Sequence, residues 1–354
     1  MMRPLSILYV AYPLLAVTNE SAGGAEQMLL TVECEMAAAG HRTVVAAADG
    51  SRVCAELLNT GPPAKAPDQY ESRERKHNAR ILEHLRRHPR EFDLIHDKSG
   101  SFFRVADECP VPVLATLHLP RGFYHEDLFR EIASNLYFNC VSESQAGTFA
   151  DVKPMLGVVQ NGIAVEQFPF TREKDGYALW LGRICEEKAP HLAIAAAQQA
   201  GVPLVIAGQV YPFTYHQNYF DRELRPHLNG VARVRFIDTP LSFQKRELLR
   251  HARAVLLTST VDETSSLVAM EAMACGTPVV AFRRGAFPEI VADGETGFIV
   301  DSIEQMAPAV GAVERISPQA CRARVERQFS AWRMAQGYRE RYQGVLKSAR
   351  GWAA

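Results

Sequence analysis

Two acids, Glu263 and Glu271, stand with seven residues between them in the stretch STVDETSSLVAMEAMACGTPVV, residues 259 to 280. Glu263 closes the apolar run AVLLTSTVD, and Glu271 falls inside a helical pattern made by Leu267, Met270 and Ala274. Ser265 or Ser266 can cap that helix, because a serine hydroxyl accepts from the free N–H groups of a first turn. A solvated acid is the plain alternative for Glu271. Its neighbours Met270, Ala272, Met273 and Ala274 are apolar, however, which makes an isolated exposed acid unnatural there.

Cations gather elsewhere. In LGRICEEKAPHL, Arg183 and Lys188 follow a strand pattern directly and flank the start of the next helix. Two cations beside free helix N–H groups suit a diphosphate; the plain alternative is a solvated loop with Lys188 paired to Glu186 or Glu187. In NESAGGAEQMLL, Gly23 and Gly24 open a helix and offer backbone to a phosphate with no Cβ in the way, although a tight turn would use the same residues. Their spacing is neither GxGxxG nor a P-loop, so neither dinucleotide dehydrogenase chemistry nor P-loop hydrolysis is indicated. His118, after an apolar strand, is either a structural hydrogen-bonding residue or a catalytic one.

The elements that must position these side chains are short apolar runs alternating with helical patterns, which predicts parallel sheets covered on both faces. Strands are expected near SILYVAY, RTVVAAA, FDLIHDK, VPVLATL, NCVSES and LGVVQNG, and again near YALWLGR, PLVIAGQ, RVRFID, ARAVLLTS, PVVAF and GFIVD. Between the two series, Asn161-Gly162 marks a turn and TREKDG a linker. A chain of 354 residues suits two such domains rather than one core. In such sheets ligands bind beyond the C-terminal strand ends, where the acids, cations and glycines are all expected.

The 39 Lys and Arg against 40 Asp and Glu argue against a general nucleic-acid binder. The seven cysteines (34, 54, 109, 140, 185, 275, 321) form no CxxC pair or metal-ligand cluster, so reduced thiols and a cytoplasmic location are expected. The run LSILYVAYPLLAV reads as a buried first strand rather than a signal peptide, since Pro13 and two tyrosines interrupt it.

Seven pieces together carry a family resemblance: GGAE, DLIHDKS, TLH, VSES, VVQNGIAVEQF, LGRICEEK and, most specifically, DETSSLVAMEAMACGTPVVAFRRGAFPEIVADGETGFIV. On these the chain resembles a retaining glycosyltransferase of family 4. The resemblance implies the GT-B fold, two Rossmann-like doubly wound α/β domains facing a cleft. Residues 1–164 would bind the acceptor, 165–334 the nucleotide sugar, and a C-terminal helix from about 335 to 354 would cross back to the first domain. It further implies that Glu263 orients donor-sugar hydroxyls and Glu271, about two turns into its helix, holds the ribose. Arg183 and Lys188, backbone N–H groups at Ser266 and Leu267, and Gly24 with Gly23 would hold the diphosphate, and His118 would stand near the transferring centre.

Three departures bear on the donor. Thr264-Ser265-Ser266 replaces the Pro-Phe-Gly of many members, Gln209 replaces a glycine after the IAG turn, and Asp238 stands where a glycine is common near the base. The resemblance therefore leaves a UDP- or GDP-linked hexose as donor. No DxD motif is present, so metal-independent transfer without a cofactor is expected, the protein's own cations stabilising the leaving group. The acceptor is a hydroxyl-bearing molecule, with Asn19, Glu20, Arg121 and Tyr124 as contacts by location. The stretch 71–92 is basic on one side and apolar on the other; it reads as a covering helix, with peripheral contact to an anionic membrane as the sharper alternative. A catalytically silent sugar-nucleotide-binding subunit and a related epimerase remain as other functions of the same architecture.

Overall fold

The computed structural model describes residues 3–18, 23–64, 67–228 and 233–352. Residues Met1–Gly162 with Ala331–Ala354 form one compact unit, and Ile163–Ser330 form a second.

In the first unit seven strands are described: β1 (Ser6–Val10), β2 (Arg42–Ala47), β3 (Glu56–Asn59), β4 (Leu94–Asp97), β5 (Val113–Thr116), β6 (Leu136–Cys140) and β7 (Met155–Val158). They lie in the order β3-β2-β1-β4-β5-β6-β7, with every pairing parallel. The buried strands lack alternation because both faces are covered. Tyr9, Phe102, Phe138 and Phe149 fill the core. The helix Ala331–Trp352 is fixed to this sheet by a buried polar chain. Tyr342 Oη lies 3.1 Å from Tyr9 Oη and 2.7 Å from His96 Nδ1, and His96 Nε2 lies 2.8 Å from Thr116 Oγ1. Buried polar groups are stable only when paired in this way.

The second unit holds β8 (Ala178–Leu181), β9 (Leu204–Gly208), β10 (Val234–Asp238), β11 (Ala254–Leu257), β12 (Val279–Phe282) and β13 (Gly297–Val300). The order is β10-β9-β8-β11-β12-β13, again parallel throughout. In each unit the chain winds outward from a first strand and then returns to its other side, so β1 and β4, and β8 and β11, are neighbours at a reversal of winding. Loops leaving such a pair diverge and open a crevice at the C-terminal strand ends.

Two expectations are corrected. Cys34 and Cys54 form a disulfide, with Cα atoms 5.2 Å apart, so the thiols are not all reduced. The segment after β2 returns across the helix Gly24–Ala38, and buried Glu33 anchors it there by accepting from the amides of Cys54 (2.9 Å) and Ala55 (3.1 Å). Cys109, Cys140, Cys185, Cys275 and Cys321 are free and buried. The sixth strand is Leu136–Cys140 rather than NCVSES, because Ser142 is already an N-cap, its Oγ accepting from the Gln145 amide. No helix among the described residues is long and apolar enough to cross a membrane.

Candidate active site

The reversal of winding at β8 and β11 in the second unit gathers the charged residues singled out in the sequence. Arg183 and Lys188 lie on the loop after β8, and Glu263 on the loop after β11. The two loops are bonded together: Thr258 Oγ1 accepts from Trp180 Nε1 (3.1 Å) and lies 2.8 Å from Ala189 O, to which it donates. The Thr260 amide donates to Glu187 O at 2.9 Å, and Ser259 Oγ to the same oxygen at 3.1 Å. Ala189, with φ +48°, turns the chain into the helix Pro190–Gln199 just after Lys188. At the ends of β8 and β9 the backbones nearly touch, since a Cβ on Gly208 would overlap the carbonyl of Gly182.

Within this frame Lys188 Nζ forms an ion pair with Glu263 Oε1. The sequence offered Glu186 or Glu187 as its partner; the loop bonding carries it to Glu263 instead. Arg183 remains half exposed, 3.9 Å from Glu187, a weak contact. Gly285, with φ +49°, lies against Glu263 and donates to Asp262 Oδ1 at 3.0 Å, while the Ala286 amide donates to Glu263 O at 2.7 Å.

The helix Leu267–Ala274 begins at the same place. Of the two candidate caps it is Ser266 whose Oγ accepts from the Ala269 amide, at 3.3 Å, with Ser265 half-buried just before it. The amide of Leu267 lies in the first turn, among the N–H groups a helix leaves for an anion. Glu271 is buried, its side chain 4% exposed, and Lys245 Nζ lies 2.8 Å from its Oε1. Lys245 comes from the helix Ser242–His251 and was missed in the sequence. No motif marks it, and its partner lies 26 positions away.

The first-unit candidates lie on the loops after β1 and β5. Gly23 caps the helix Gly24–Ala38, and a Cβ on it would overlap the carboxylate of Glu26, whose buried side chain has its pKa raised by desolvation. Asn19 and Glu20 lie outside the described residues. His118 is half-buried after β5; loss of hydration, then the charge of Lys98, lowers its pKa well below the usual histidine value, so the ring is neutral near pH 7. Tyr124 is buried, and its Oη accepts from the amides of His118 (3.2 Å) and Leu119 (3.3 Å), which makes it a support for that turn. Arg121 pairs with Asp151 at 3.0 Å and lies over the Phe129 ring, 4.6 Å from its centroid.

Among the described residues of 71–92, the helix Tyr70–Arg87 buries Ile81, Leu82 and Leu85. Several of its exposed cations pair nearby, Arg75 with Glu71, Arg87 with Glu83 and Arg86 with Glu108. Among the described residues the one cluster with metal-ligand geometry is Glu33, Cys34 and Cys54, whose two sulfurs are joined to each other.

The chain is similar to known proteins in sequence and in fold. Residues 165–323 match the family described as Glycosyl transferases group 1. Among curated relatives, D-inositol 3-phosphate glycosyltransferase of Mycobacteroides abscessus is 33% identical over 143 residues, 40% of this chain and 32% of that protein. Its counterpart in Mycobacterium marinum is 28% identical over 264 residues, 64% of this chain and 56% of the relative. The matched part thus spans from just under a third to a little over half the length of these two relatives. Two solved structures resemble nearly the whole chain. Sucrose-phosphate synthase from Thermosynechococcus elongatus has a TM-score of 0.77 at 19% identity, covering 97% of this chain and 100% of its own. HepE from Anabaena, solved with UDP-glucose, has a TM-score of 0.73 at 18% identity, covering 96% and 100%. At such identities the likeness shows the fold, one of paired parallel-sheet α/β domains of GT-B type.

Proposed function

We propose that the protein is a retaining glycosyltransferase of family 4 that moves a hexose from a UDP- or GDP-linked donor to a hydroxyl acceptor. The observation that carries this reading is the convergence at one crevice of the second unit. Two cations on the loop after β8, Glu263 on the loop after β11, and the capped helix that follows it and carries Glu271 are gathered there, within residues that match the group 1 glycosyl transferases.

Breaking the anomeric C–O bond sends its electron pair to the diphosphate. Positive groups fixed in advance stabilise that charge better than mobile water. Arg183 and Lys188 take the diphosphate in this scheme, with the amides at Ser266 and Leu267. The phosphate replaces Glu263 as the partner of Lys188, and Glu263 then accepts from donor-sugar hydroxyls. Glu271 takes the ribose. The acceptor oxygen bonds to the anomeric carbon on the face the diphosphate leaves, and its proton passes to the departing phosphate oxygen. His118, a neutral imidazole, acts by hydrogen bonding rather than as a cation. These groups supply the positive charge a divalent ion would otherwise bring, so the reading includes turnover without a metal. The first unit takes the acceptor, with Arg121 and the segment after β1 as contacts.

Incubating the protein in EDTA with a panel of UDP- and GDP-sugars and no acceptor tests the reading. Slow release of free sugar from one donor is expected. A panel left intact while nucleotide still binds would favour a silent nucleotide-binding subunit.

A further inference from the structure

Lys245 and Glu271 come from helices that follow different strands, the edge strand β10 and the central β11, and meet where the second helix is fully packed. Met270, Ala272, Met273 and Ala274 around Glu271 are all buried. A carboxylate so enclosed needs a partner, because transfer from water is costly for an unpaired charge. Among the described residues Lys245 is the one side chain that donates to it, through Oε1 at 2.8 Å. Its neighbour Arg246 goes elsewhere, donating to Gln167 Oε1 at 3.3 Å and lying over Phe168.

A carboxylate has two oxygens and about four acceptor positions, so one lysine contact leaves Oε2 open to another donor. A ribose diol is a donor of that type. We propose that Lys245 is a positioning residue for nucleotide recognition: it holds Glu271 Oε1, fixes the carboxylate plane and keeps Oε2 for the ribose hydroxyls. The inference rests on the assignment of Glu271 to the ribose. Lys245 need not touch the nucleotide; it acts by removing the freedom of the acid that does, and pre-organisation of this sort lowers the ordering cost of binding.

Isothermal titration of the full chain with UDP, GDP and ADP first finds the nucleotide bound. That nucleotide is then compared with its 2′,3′-dideoxy form in the wild type and in Lys245→Met, Lys245→Gln and Lys245→Arg. The wild type should prefer the ribose form about tenfold or more, the effect of one lost hydrogen bond to a charged acceptor. In Lys245→Met and Lys245→Gln the ribose form weakens until the two bind alike, whereas Lys245→Arg keeps the preference. Thermal melts identify variants that fold, and Lys245→Gln, a neutral and shorter side chain that lacks the ammonium's charge and reach, stands in if Lys245→Met does not. A folded Lys245→Met or Lys245→Gln that keeps the full ribose preference would overturn the inference and leave the proposed function standing. A wild type that binds no nucleoside diphosphate would overturn the functional reading and the inference with it.

Discussion

Gly285 lies against the backbone of Glu263, and a Cβ built on it would overlap both the amide nitrogen and the carbonyl oxygen of that acid. Its φ of +49° is also one that side-chain-bearing residues rarely adopt. The position of Glu263 therefore depends on a glycine 22 positions later as much as on its own loop. Gly285→Ala should lower unfolding free energy by about 1–3 kcal/mol, the usual range for forced overpacking. It should also cut donor turnover by moving Glu263. Urea unfolding and a turnover assay on the same sample check this, and a variant with unchanged stability and turnover would show that the loop yields without cost.

Arg183→Ala and Lys188→Ala should each weaken nucleoside diphosphate binding. A hydrogen bond to a charged group is worth about 1.5–3 kcal/mol, or roughly a ten- to hundredfold loss of affinity. Isothermal titration reads the effect. Unchanged affinity in both variants would remove these residues from the anion site.

Glu263 and Glu271 are expected to divide the donor between them. Glu271→Ala should lose affinity for free nucleoside diphosphate, whereas Glu263→Ala should bind it normally and fail only when the sugar is attached. Equal loss of the free nucleotide in both variants would refute that division.

The histidines of the first unit should make its stability depend on pH. His77 is fully buried, its Nδ1 2.8 Å from Thr60 Oγ1, and burial, then the charge of Arg73, lowers its pKa to about 3. The unfolded value is near 6.5, so between these values the unfolded chain binds a proton that the folded chain refuses. This contribution is complete above about pH 6.5 and lost as pH falls, at up to about 1.4 kcal/mol per pH unit. Urea unfolding of His77→Gln between about pH 4 and pH 7 should show a shallower slope than the wild type. Equal slopes would place the acid sensitivity elsewhere.

The doubly wound sheets were legible because buried parallel strands are continuous apolar runs. The strand β3 was not: it lies at the sheet edge, and Glu56, Leu57 and Asn59 are exposed, so no apolar run marks it. At the site, Arg183, Lys188, Glu263 and Glu271 stood out by type and by position after strands. What they pair with did not. Lys188 meets an acid 75 positions away and Lys245 one 26 positions away, and both pairings depend on which strands are neighbours rather than on spacing. Cys34 and Cys54, 20 residues apart with no motif, meet for the same reason. Tyr124 stood out by location as an acceptor contact, but burial commits its hydroxyl to two backbone amides.

Donor chemistry without metal is the central claim, and one measurement addresses it directly: proton NMR of the anomeric signal of the first product formed from an α-linked UDP- or GDP-sugar in excess EDTA, recorded before mutarotation. In the proposed scheme two cations and a helix terminus surround the leaving group, and no general base is assigned to the acceptor hydroxyl, which an inverting route would need. The account predicts an α-configured product formed at an undiminished rate in the chelator. A β-configured product, or activity lost in EDTA and restored by magnesium or manganese, would contradict it.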